Sequence, residues 1–277
     1  MKQRIITSVV LVFIIGAAFY ATTRVDWVLD IVMYLLALLA IYECLKIMKM
    51  LRLKLLSLLC FAYPTAVSIL ILTQNNERIK DGAIGLLVLL MFLAVIYRGR
   101  DRAKFSAVAL AGLFSVYITT GFSALTQLQK QNQGTAGAVL AAAIILGTWA
   151  GDVGGWLFGV TMGKHKLCPS ISPKKSVEGL IGSLICSEIA FIGLAFLSRL
   201  ALPAQPLDWV TFACIAPFAA IFGLMGDLTA SVLKRDSNVK DFGTIVVGHG
   251  GIMDRFDSVL MVSIMFLLIS RFVDFFG

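Results

Sequence analysis

Five aspartates, Asp227, Asp236, Asp241, Asp254 and Asp257, fall within 31 residues of a chain that has only twelve. Lys234, Arg235, Lys240 and Arg255 are interleaved with them, and no glutamate occurs in the stretch. Carboxylates beside cations suit a divalent ion bound together with phosphate, because Mg²⁺ takes one or two carboxylates and lets substrate phosphates and water complete its shell. The spacing supports a shared site. Asp227, Ser231 and Lys234 stand at i, i+4 and i+7 on one helix face, while Asp254 and Asp257 stand at i and i+3 in what reads as the first turn of a final helix. Acids in a first turn also complement the helix dipole, so either of that pair has a structural explanation as well. Asp227 follows an apolar run, where an ionisable group needs a partner or a purpose.

A second polar block lies upstream. Asp152 is an acid inside an apolar run that also carries Gly151, Gly155, Gly159 and Gly163 at every fourth position, a ridge that admits a closely packed neighbour. Lys164, His165, Lys166, Lys174 and Lys175 follow, with Pro169 and Pro173 limiting the loop's freedom. Such a loop either holds a polyphosphate or simply carries the charge of one membrane face. Near the C-terminus, Gly248, Gly250 and Gly251 surround His249 and let backbone turn sharply or approach a phosphate. His249 itself can contact a phosphate or serve as an ordinary hydrogen-bonding turn residue. Of the other acids, Glu43 reads as a helix-surface partner of Lys46, Asp30 as a residue near the outer interface, and Glu188 as one that pairs across helices or lines a cavity.

The elements that must position these groups are apolar. With 59% hydrophobic and 14% charged residues, against about 25% charged in soluble domains, the chain is a membrane protein. Runs near 5–21, 26–48, 53–73, 83–97, 105–128, 137–162, 179–200, 209–231 and 258–276 predict an all-α, polytopic fold of about nine transmembrane helices. Residues 1–136 hold about five spans. Residues 137–277 form the catalytic region, with polar loops at 163–179 and 231–258. The first run reads as a span rather than a cleaved signal, because it continues almost directly into the second. Five scattered cysteines and two distant histidines make neither a disulfide framework nor a zinc site.

A net charge of +8 raises nucleic acid as a partner. The distribution argues against it, since 18 of the 24 Lys and Arg residues fall on one side of the nine-span layout. That bias predicts a cytoplasmic N-terminus and puts both polar loops on the cytoplasmic face.

Assembled, these residues resemble the phosphatidate cytidylyltransferase family, also called CDP-diacylglycerol synthases, in its bacterial form. The family's C-terminal signature is matched without a gap over 27 residues by Ser231, Lys234, Arg235, Lys240, Asp241, Gly243, His249, Gly250, Gly251, Asp254, Arg255 and Asp257. A second family block is similar to residues 163–179, and Asp152 matches a family aspartate. Val247 stands where the family usually has proline, Ser176 where threonine is common, and Val153 to Trp156 depart from the usual pattern after the aspartate.

The resemblance implies transfer of CMP from CTP to phosphatidic acid, giving CDP-diacylglycerol and pyrophosphate, with Mg²⁺ and room for a second metal ion. It implies metal binding by Asp227 and Asp254, with Asp152 and Asp257 as additional or supporting ligands. Lys234, Arg235, Lys240 and Arg255 would neutralise phosphates with help from Lys174 and Lys175. Asp241 and His249 join the catalytic set, and Ser172, Ser231, Gly250 and Gly251 the substrate-binding set. It also implies a homodimer among membrane lipids, in the inner (plasma) membrane, with the site facing the cytoplasm. Two alternatives remain at this point: a related nucleotidyl or polyprenol-linked lipid transferase, and an ion-coupled transporter using Asp30, Glu43, Asp152 and Glu188.

Overall fold

Backbone that lies in lipid must satisfy its own amides, which confines apolar runs of this length to helix. The computed structural model describes residues 16–25, 27–72, 105–132, 134–244 and 250–277, and they are mostly helical. After a short helical segment at 16–22 come α1 (Trp27–Ile47), a 3₁₀ turn (Met50–Arg52), α2 (Lys54–Leu72), α3 (Phe105–Gln131) and α4 (Gly134–Thr161). An antiparallel hairpin of β1 (Lys166–Cys168) and β2 (Ser172–Ser176) follows, then α5 (Val177–Ala201), α6 (Trp209–Asp236) and α7 (Met253–Ile269). Six of these helices, α1 to α6, are long and apolar enough to cross a membrane.

Two expectations change. The fold is not purely α, because the 163–179 loop contains the hairpin. The last helix starts at Met253, in keeping with the first-turn reading of Asp254 and Asp257, but ends at Ile269 rather than near 276, since the chain then turns back and Phe276 bridges to Leu207. Of the nine expected spans, the run at 83–97 and residues 5–15 of the first run lie outside the described residues.

Local signals set the helix starts. Ser176 accepts from the Gly179 amide (3.1 Å) and caps α5, and Asp208 accepts from the Val210 and Thr211 amides and caps α6. Between helices, lipid supplies no hydrophobic drive, so close van der Waals packing holds them. The glycine ridge of α4 meets α5: a methyl at Gly155 would lie 3.4 Å from the Gly179 carbonyl oxygen.

The last helix is gripped from several sides. Phe256 packs against Phe122 of α3 (5.3 Å) and Trp149 of α4 (5.9 Å), and the Trp149 indole donates to the Arg255 carbonyl (3.1 Å). Tyr117 of α3 donates to the Asp257 carbonyl (3.2 Å). At the far end of the same helix, Phe266 meets Phe191, Phe212 and Phe275. That end also carries a stacked Phe196–Trp209 pair, with Arg199 5.0 Å over the Phe196 ring.

Candidate active site

The C-terminal turns of α6, the first turns of α7, the middle of α4 and strand β2 surround a cleft of about 690 Å³. Helix geometry brings the α6 residues together as their spacing requires: the Ser231 hydroxyl donates to Asp227 Oδ1 (3.3 Å), and Lys234 lies on the same face. From the hairpin, Lys175 Nζ reaches Asp227 Oδ2 at 2.5 Å. From α7, the Ser258 hydroxyl donates to Asp152 Oδ1 (3.2 Å). Asp257 is buried and accepts from its neighbour's amide, Ser258 N (2.9 Å). Asp152, Asp227 and Asp257 interact electrostatically with Lys175. Burial alone would depress the Lys175 ammonium, but these carboxylates, Asp227 foremost, outweigh it and hold it above the ordinary lysine value.

Asp254 occupies a different environment. Its Oδ1 accepts from Lys234 Nζ (2.8 Å), and its Oδ2 accepts from the Phe242 (2.8 Å) and Gly251 (2.9 Å) amides. Lys234 also lies 5.3 Å over the Phe242 ring. This carboxylate therefore ties α6, the segment after it and the start of α7 into one frame. Gly250, at φ 89°, takes a backbone conformation that other residues rarely adopt, and a Cβ there would press on Asp254.

Most expected site residues meet in this cleft: Asp152, Ser172, Lys174, Lys175, Asp227, Lys234, Asp241, Asp254, Arg255 and Asp257 all line it. Others stand beside it. Arg235 donates to the Ile171 carbonyl (3.3 Å) and so bridges α6 to the hairpin turn. Lys240 is exposed on the segment after α6, and Ser231 and Gly251 are buried behind the lining. His249 and Val247 lie outside the described residues.

Several contributors had no clear sequence signal. Glu178 accepts from the Lys164 and His165 amides and from the His165 ring (2.6 Å), which pins the hairpin to α5. Ser258, Tyr117 and Trp149 act through the α7 contacts given above. Glu43 corrects an expectation: it is no surface partner of Lys46 but is 1% exposed and accepts from the Met253 amide (3.0 Å). Lys46, which still acts on Glu43 electrostatically, lies 5.9 Å over the Tyr42 ring. Asp30 pairs with Lys130 (2.9 Å), at the end of the bundle away from the cleft.

Asp152, Asp227 and Asp257, with the Ser231 and Ser258 hydroxyls, are hard oxygen donors. Among the described residues no three acidic, histidine or cysteine side chains form a ready metal cage. Mg²⁺ itself needs only one or two protein carboxylates when phosphate and water complete its shell. The donor set and the surrounding lysines thus fit a divalent cation carried with a polyphosphate.

Residues 2–273 match the model of the cytidylyltransferase family. The chain is 33% identical over 273 residues to a phosphatidate cytidylyltransferase of Bacillus subtilis, an alignment covering 95% of this chain and 94% of the relative. It is 34% identical over 267 residues to the protein of that name in Staphylococcus haemolyticus, covering 95% and 96%. With the one in Staphylococcus aureus it shares 36% identity over 178 residues, 64% of this chain and 65% of the relative.

Proposed function

This chain belongs to the cytidylyltransferase family, and from that premise we infer that it is a CTP:phosphatidate cytidylyltransferase of phospholipid biosynthesis. It transfers CMP from CTP to phosphatidic acid and releases pyrophosphate, leaving CDP-diacylglycerol in the membrane. The observation that carries the reading is the Lys175–Asp227 contact, which joins two polar blocks remote in sequence at one cleft beside a bundle of apolar helices.

In this reaction a phosphatidate oxygen, ionised near neutral pH, attacks the α-phosphorus of CTP. The new P–O bond forms as the bond to the bridging oxygen breaks, and pyrophosphate leaves with that electron pair. No general base is required, so catalysis is alignment and charge neutralisation. Lys174 and Lys175 approach the phosphates from the hairpin, and Lys234 and Arg255 from α6 and α7, with Arg235 and Lys240 at the edge. As the triphosphate enters, Lys175 exchanges Asp227 for a phosphate oxygen and frees that carboxylate. Asp227 would then hold Mg²⁺ with Asp152 and Asp257 beside it, while Asp254 has only Oδ1 to offer because Oδ2 is committed to two amides. When bound, Mg²⁺ supplies positive charge at the reacting phosphates and the leaving group.

We place the chain as a homodimer in the inner membrane with nine spans, the N-terminus and the cleft facing the cytoplasm, as the Lys and Arg bias supports. The ends of α2 and α3 lie together, with Lys130 Nζ bonded to the Ile71 carbonyl (3.0 Å). The two helices therefore run in the same direction.

The test is purified protein in mixed micelles with CTP, phosphatidic acid and Mg²⁺. Pyrophosphate and CDP-diacylglycerol should appear in equal amounts. No release with Mg²⁺ or other divalent ions would overturn the reading.

A further inference from the structure

Glu43 belongs to α1, far in sequence from every residue that lines the cleft, yet it reaches the segment that carries Asp254. Its Oε2 accepts from the amide of Met253, the first residue of α7. Among the described residues its Oε1 has no hydrogen-bond partner, and it lies against Gly243 and Gly251, where a Cβ on either glycine would collide with the carboxylate. An acid buried inside a spanning helix is costly to keep, which points to a use.

The neighbouring bonds show what that use is. Asp254 Oδ2 takes the Phe242 and Gly251 amides, so two carboxylates hold the same stretch of backbone at different amides. Glu43 holds it at Met253 and packs beside residues 243 and 251; Asp254 holds it at 242 and 251. Through Asp254, the same frame fixes Lys234 at the cleft.

We propose that Glu43 is a positioning residue for the transfer reaction: by holding the Met253 amide and the glycine backbone beside it, Glu43 fixes where Asp254 and Lys234 stand in the cleft. The inference rests on the proposed function for what the cleft does, and on geometry alone for what Glu43 holds.

Three full-length variants in micelles test it. Glu43→Gln keeps the length and an acceptor oxygen, Glu43→Asp is one methylene too short, and Glu43→Leu has no acceptor. Because a shift of about 1 Å near reacting groups costs on the order of a hundredfold in rate, kcat should fall about ten- to a hundredfold in the Asp and Leu variants, with KM for CTP within about twofold and the Gln variant within about threefold of wild type. Hydrogen exchange of a peptide spanning residues 251–256 should rise in the Asp and Leu variants and stay near wild type in the Gln variant.

Full kcat in Glu43→Leu, a Gln variant as impaired as Leu, or unchanged exchange in the Asp variant would each overturn the proposal. If Glu43→Leu does not fold, the contrast between Gln and Asp decides. A wild-type protein that releases no pyrophosphate would overturn the proposed function instead, and the exchange measurement would still decide the role of Glu43.

Discussion

Lys175 Nζ and Asp227 Oδ2, 2.5 Å apart, close the cleft between the β-hairpin and α6. Both side chains are partly exposed, at 31% and 26%, so the pair can open without breaking the fold. In the proposed reaction each ion has a second use once a polyanion arrives, the ammonium toward phosphate and the carboxylate toward a cation.

If the two act as one unit, Lys175→Ala and Asp227→Ala should each lower kcat/KM by about a hundredfold or more. The double variant should lose much less than the product of the two losses. Pyrophosphate release from the three proteins checks this; fully multiplicative losses would contradict a shared role.

Asp227 and Asp254 should separate in stability. The Lys234–Asp254 pair is 12% and 6% exposed, and removing one partner of such a pair leaves a buried charge at a cost of about 3–5 kcal/mol. Asp254→Ala should therefore melt well below wild type. Asp227→Ala should melt close to it, because partly exposed ion pairs contribute only about 0–1 kcal/mol. Thermal unfolding in one detergent, read beside activity, distinguishes a framing carboxylate from one kept free for chemistry.

The pH dependence of Lys175 follows from its neighbours. Its folded-state value is raised by the facing carboxylates in spite of burial, so its contribution is complete below the unfolded lysine value of about 10.4 and is lost only as pH climbs through the higher folded value. The melting difference between wild type and Lys175→Met should stay constant between about pH 7 and about pH 9 and shrink only above the ordinary lysine range. A difference that already shrinks near neutral pH would show that another group controls the contact.

Two glycines of α6 provide a matched pair. A methyl on Gly226 would run into the Asp257 carbonyl oxygen, whereas one on Gly223 would sit at ordinary contact, 3.7 Å from Ser258 and Val262. Gly226→Ala should cost about 1–3 kcal/mol and reduce kcat by displacing Asp257 from Asp227. Gly223→Ala should be close to neutral in both. Equal behaviour of the two variants in melting and turnover would argue against this account of the α6–α7 contact.

Apolar length was legible in the sequence for the six long helices, because lipid leaves a run of that kind little choice of structure. The face shared by Asp227, Ser231 and Lys234 was legible too, since i, i+4 spacing is local and the Ser231–Asp227 bond realises it. Boundaries were less so. Apolarity marks what faces lipid rather than where a helix begins, so the last apolar run opens near 258 although the helix starts at Met253, and only the i, i+3 spacing of Asp254 and Asp257 signals that polar first turn. The hairpin was hidden because Ser172–Ser176 lines a polar cleft and has no alternating apolar face. Glu43 was misread for the same reason that Lys46 looked attractive: sequence shows the neighbour three residues away, not an amide 210 residues downstream.

That separation has a consequence for synthesis. Glu43 leaves the ribosome 210 residues ahead of Met253, and at about 5–20 residues per second the interval lasts on the order of 10–40 s. Throughout it, the first helices carry an acid whose Met253 partner has not yet been made. Until then water, headgroups or its own proton has to offset the cost of that acid, so the seat of α1 is complete only when the last helix arrives. The C-terminal segment is thus the closing piece of assembly, and a nascent chain cut short before Met253 would leave α1 without its Met253 contact.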